Sequence, residues 1–132
     1  MTETSPRKSA GTSPLIALVA FLLDASLITL FAALGRDSHE LDATFGGLFR
    51  TAWPFLAGLV LLWIVTAAWR RPLSIVRTGM PVWIGTVLIG MIFRALSDQG
   101  TALPFVLVAT GVIGLMLVGW RAIVTLVRRL KR

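Results

Sequence analysis

The sequence predicts an all-α integral membrane protein, a bundle of four transmembrane helices with both termini on the cytoplasmic side (N-in/C-in). Three observations predict it. Hydrophobic residues make up 56% of the 132 residues and charged residues only 14%, and the mean hydropathy is +0.84, far from the balance of a soluble domain. The apolar residues fall into four runs, each close to the roughly 20 residues that cross a bilayer. The basic residues sit at the ends of those runs and not along a polar face, the membrane-protein pattern. That placement excludes nucleic acid as the partner despite a net charge of +7. The length leaves room for one domain.

Residues 1–13 are polar and small, with Arg7 and Lys8, and are expected to form a disordered cytoplasmic tail. A basic segment before an apolar run also resembles a signal peptide. Here the run is too long for an h-region and no small-residue cleavage site follows, so a retained first helix is expected. The first span covers 14–34, opening on Pro14, a favourable first helical residue. At about 1.5 Å per residue it rises about 31 Å, enough for a hydrocarbon core of about 30 Å. Gly35 is the expected helix stop.

The polar stretch Arg36–Gly47 leads to the second span, 48–69, which Pro54 either begins or kinks. A connection carrying Arg70, Arg71 and Arg77 and no acid follows. The third span, 81–96, is short at about 24 Å unless the Leu73–Thr78 turn joins it. The fourth covers 102–127. Residues 128–132 form a basic cytoplasmic tail, in which Arg128, Arg129, Lys131 and Arg132 suit anionic lipid of the bilayer at about 1 kcal/mol per charge.

Orientation follows from where Lys and Arg lie. Both tails and the 70–80 connection are basic, whereas the 35–50 loop is mixed and the 97–101 loop holds Asp98 alone. Positive charge favours the cytoplasmic side. Trp53, Trp69, Trp83 and Trp120 fall near span ends, where an indole suits the headgroup level; Trp63 lies deeper.

One internal echo stands out. Thr51-Ala52-Trp53-Pro54-Phe55 opens the second span and Thr101-Ala102-Leu103-Pro104-Phe105 the fourth, and the two end in Trp69-Arg70 and Trp120-Arg121. Two helical hairpins in parallel repeat would produce this. So would the general suitability of these residues at outer-face helix starts.

The chemistry-bearing residues are few. There is no Cys, no Tyr and one His, so no thiolate site, and no metal, cofactor or nucleophile constellation is assembled. Asp24 falls about 15 Å into the first span, where a carboxylate costs about 2.5–3.5 kcal/mol and must face the bundle interior with a partner or a proton. Its helix neighbours Ala17, Ala20, Ile28 and Phe31 share that face. Two readings stand: a proton- or cation-handling carboxylate, and a structural clasp between helices. Arg94, about 20 Å into the third span if that span begins at Pro81, is the expected partner. If the span begins earlier, Arg94 snorkels at the outer interface instead. At the outer mouth Arg36, Ser38, His39 and Arg50 lie among Asp37, Glu40 and Asp42. That loop reads as a solvated cap on the first helix, as a weak cation site through His39, or as a head-group site through the arginines. Thr86-x-x-x-Gly90 and Thr110-x-x-x-Gly114 have the small-residue spacing that lets helices approach.

Asp24, then Phe31…Gly35-Arg36-x-Ser38-His39, Pro54-Phe55, Arg94 and Trp120-Arg121 together resemble the DUF3054 family, over about residues 15–121. The resemblance implies a small four-helix protein of the bacterial inner (plasma) membrane and brings Arg121 among the candidate polar residues. It supplies no substrate and no catalytic residue. The expected function is a non-enzymatic accessory or scaffold component working with membrane-protein partners or a second copy of itself. The alternative is a small transporter or proton pathway built on Asp24, and a membrane enzyme has the least support.

Overall fold

Ser13 accepts a hydrogen bond from the Ile16 amide through Oγ (3.2 Å), which caps a helix whose first residue is Pro14. The computed structural model of the chain describes residues 13–37 and 45–131, with the side chains of 36, 37 and 45 left out. Four long helices account for most of them: α1 (Pro14–Asp37), α2 (Phe45–Val65), α3 (Met80–Leu96) and α4 (Leu103–Leu130). Each makes up most of a segment long and apolar enough to cross a membrane. The protein is a multi-pass membrane four-helix bundle.

The helix ends depart from expectation for local reasons. α1 runs through Gly35 to Asp37, because no described glycine takes the left-handed conformation that would end a helix there. α2 stops at Val65 and not at Trp69, since Ala67 turns left-handed with φ 51° and ψ 50°. Thr66 closes the end by giving both its amide (3.0 Å) and its hydroxyl (2.7 Å) to the Leu62 carbonyl. A 3₁₀ turn, Ala68–Arg70, follows, with Ala68 fully buried. α3 is preceded without a break by one π-helical turn, Ile75–Gly79, capped by the Ser74 side chain. The third span is therefore Ile75–Leu96, 22 residues long, and clears the hydrocarbon core. α4 carries Pro104 in its first turn and reaches Leu130.

The helices close a ring, α1 against α2, α2 against α3, α3 against α4 and α4 back on α1, with α2 and α3 the most extensively packed pair. Short connections make every neighbour antiparallel. The face of α1 that carries Asp24 is buried as expected: Ala17, Ala20, Ile28 and Phe31, together with Ala32. Opposite it lie Phe55 and Leu59 of α2, Val82 of α3, and Ala109, Ile113 and Leu117 of α4.

Glycine acts here by admitting rings. A Cβ on Gly90 would stand 2.3 Å from the fully buried ring of Phe55, and one on Gly114 would stand 2.4 Å from Trp83. Close backbone approach occurs instead at Gly58, 3.0 Å from the Thr86 carbonyl on the same measure. The small-residue spacings thus seat aromatic side chains of the preceding helix.

Candidate functional site

Two polar centres sit in this apolar frame, one towards each end. The first is built on Asp24, which is 0% exposed. Arg121 of α4, equally buried, grips it with two parallel bonds: Nη1 donates to Oδ1 (3.0 Å) and Nη2 to Oδ2 (2.7 Å). Each oxygen takes a second donor. The Trp120 indole N–H reaches Oδ1 (2.8 Å) and the Trp63 indole N–H reaches Oδ2 (3.0 Å). Four donors from α2 and α4 thus converge on one carboxylate of α1. Phe21, one turn before Asp24, stands edge-on to Trp63 with centroids 5.2 Å apart and fixes the indole's orientation.

Arg121 has work beyond the pair. Its Nε donates to the Pro72 carbonyl in the α2–α3 connection (2.7 Å), and Nη1 also reaches the Leu117 carbonyl one turn back (2.8 Å). Gly79 leaves room for its stem, 3.3 Å from where a Cβ would stand. A fork-on-fork pair of this kind satisfies charge and geometry together, which is what burial of both ions in an apolar bundle requires.

The expected Asp24–Arg94 pair is not formed. Arg94 belongs to the second centre, at the other end of the bundle. Its Nε donates to the Gly100 carbonyl (3.0 Å) and its Nη1 to Gln99 (3.3 Å), while the guanidinium lies 4.1 Å over the ring of Phe105. Phe105 in turn meets Phe31 and Phe55 in a three-ring cluster. The displacement has a plain cause. With the π turn included, the third span starts at Ile75, so Arg94 stands about 28 Å along it and reaches the far interface.

The echo with Trp69-Arg70 sets Arg121 at a span end. The two Trp-Arg pairs occupy different places: Trp69 and Arg70 are exposed in the 3₁₀ turn after α2, whereas Trp120 and Arg121 lie inside α4. The signal for Arg121 is depth. It stands about 13.5 Å from the Leu130 end of α4, and Asp24 about 15 Å from the Pro14 end of α1. Trp63 carries its own signal as the tryptophan read as lying away from the interfaces.

Of the other candidates, Arg50 is exposed near the start of α2. Ser38 and His39, and the side chain of Arg36, lie outside the described residues, so the loop readings built on them do as well. Among the described residues no group of three His, Cys, Asp or Glu side chains is placed to hold a metal.

A family model described as "Protein of unknown function (DUF3054)" matches residues 21–124, a stretch that takes in Asp24, Trp63, Arg94, Trp120 and Arg121. No curated protein and no solved structure matches the chain.

Proposed function

The chain belongs to the DUF3054 family, and we propose that it is a non-enzymatic accessory or scaffold component of the bacterial inner membrane. The observation that carries this reading is the state of Asp24. Among the described residues it is the one buried carboxylate, both oxygens already take two donors each, and no surface of it is exposed. A carboxylate that carries protons or cations needs an open acceptor site and a path to water. This one is closed on every side, and its charge is spent on holding α1, α2 and α4 and the Pro72 connection together. Asp24 and Arg121 are a clasp.

The test is reconstitution into sealed vesicles with an entrapped pH indicator and an imposed gradient. The expected proton and cation flux equals that of protein-free vesicles, for wild type and for Asp24→Asn alike. A flux by the wild type above that of protein-free vesicles would make the protein a small transporter. Mild-detergent purification from native membranes is then expected to recover the chain with a reproducible, stoichiometric membrane-protein partner.

A further inference from the structure

The connection between α2 and α3 spends unusual backbone geometry on bringing arginines together. Ala67 takes the left-handed conformation (φ 51°, ψ 50°), which is costly for a residue with a Cβ and is tolerated where the surroundings impose it. The π turn Ile75–Gly79 is a second rarity, of a kind that often marks functional sites. It is pinned at both ends: Ser74 Oγ accepts from the Arg77 amide (3.0 Å), and the Gly79 amide donates to the Ser74 carbonyl (2.9 Å). The buried Thr78 hydroxyl donates to the Arg71 carbonyl (2.6 Å), and Arg121 holds the Pro72 carbonyl between them.

The outcome is a cavity of about 1220 Å³ at the end of the bundle where α2 passes to α3 and α4 ends. Arg70, Arg71 and Arg77 line it from the connection and Arg128 from α4, with the hydroxyls of Ser74 and Thr125 among them. No carboxylate of the described residues lines it. Four guanidinium groups around one concavity repel each other and focus a strong positive potential. Planar forks match phosphate oxygens two at a time, and hydroxyls supply further donors. A single phosphate would leave most of the space unused. The cavity exceeds the usual range for small-molecule pockets.

We propose that this arginine-lined cavity binds a phosphate-bearing anion, one that carries two phosphate groups. The same chemistry is offered by a diphosphate lipid headgroup at the membrane surface and by a soluble diphosphate ester. The proposal stands apart from the scaffold reading, since a transporter or a scaffold alike could hold such a ligand.

The experiment uses the full chain in two arms. In neutral detergent, inorganic pyrophosphate is titrated calorimetrically against wild type, Arg71→Gln/Arg77→Gln, and Arg129→Gln/Lys131→Gln, which removes the same charge outside the cavity. In the second arm the proteins are placed in bilayer discs of phosphatidylcholine with or without diphosphatidylglycerol, and retained lipid is identified by native mass spectrometry. Arg71 and Arg77 are exposed, and Arg71→Lys/Arg77→Lys is the companion variant that keeps the charge should the glutamines disturb insertion.

For pyrophosphate, the cavity pair is expected to weaken binding about thirtyfold, the lysine pair by less, and the tail pair only slightly. Pyrophosphate binding without lipid retention identifies a soluble ligand, and lipid retention without pyrophosphate binding identifies a headgroup; either supports the proposal. Loss of pyrophosphate affinity of the same size in the cavity and tail pairs, lipid retention that the cavity pair leaves unchanged, or no binding in either arm, overturns it and leaves the arginines as topological charge.

Discussion

Cutting the clasp on one side should be worse than removing it. Asp24→Ala leaves the Arg121 guanidinium buried at 0% exposure without its counter-charge, a loss of about 3–5 kcal/mol. Arg121→Leu leaves the carboxylate held by two indoles alone and frees the Pro72 carbonyl, with a loss of similar size. If the two were independent, the double variant would lose about 6–10 kcal/mol. With both charges gone, the remaining penalty is the orphaned Trp63 N–H and Pro72 carbonyl, at about 1–3 kcal/mol each, with less from the partly exposed Trp120. The double variant should therefore lose about 3–6 kcal/mol, and the coupling between the sites should be about 3–4 kcal/mol. Asp24→Asn tests the geometry more sharply. Each carboxylate oxygen faces two donors, so the amide nitrogen must point its own hydrogens at an arginine and an indole whichever way it turns. Asparagine should be nearly as damaging as alanine. The assay is a double-mutant cycle on reversible unfolding in mixed micelles. A coupling below about 0.5 kcal/mol, or an asparagine variant close to wild type, would refute this account of the centre.

Trp63→Phe keeps the ring that meets Phe21 but removes a bond to a charged oxygen, and should lose about 1.5–3 kcal/mol in the same unfolding assay. Gly90→Ala drives a methyl into the buried Phe55 ring and should lose about 1–3 kcal/mol. Gly111→Ala, where a Cβ would meet nothing within 4 Å, should be neutral or gain about 0.5–1 kcal/mol. Because the chain has no cysteine, an introduced one labels without background. A cysteine at Asp98 should react with an impermeant maleimide in intact cells and one at Lys131 only after permeabilisation, and the reverse pattern would invert the orientation.

The bundle was legible because its signals are long and additive. Four apolar runs, the inward face of α1 and the placement of charge each depend on many residues, so no single turn could undo them. The polar centre depends on register between helices, and there one local feature decides the outcome. Arg94 looked like the partner of Asp24 only if α3 began at Pro81. A π turn and a capping Ser74 move the start to Ile75, and an error of six residues carries Arg94 about 9 Å further along the span. Nothing in the residues Ile75–Gly79 announces π rather than α geometry. Ala67 is equally silent, since an alanine gives no hint of a left-handed turn that Gly or Asn would have signalled. What the sequence did contain was a depth match: Asp24 and Arg121 stand about 15 and 13.5 Å from helix ends on one side of the bundle. The Trp-Arg echo masked it by suggesting that Arg121, like Arg70, belonged to the interface. The echo holds in residue type, but α2 ends before its Trp-Arg pair and α4 continues nine residues beyond its own. That difference in length turns one arginine towards water and buries the other. It also couples the two regions, because the buried Arg121 holds Pro72, beside Arg71 in the connection that lines the arginine cavity. Loosening the clasp should disorder that connection before it unfolds the bundle.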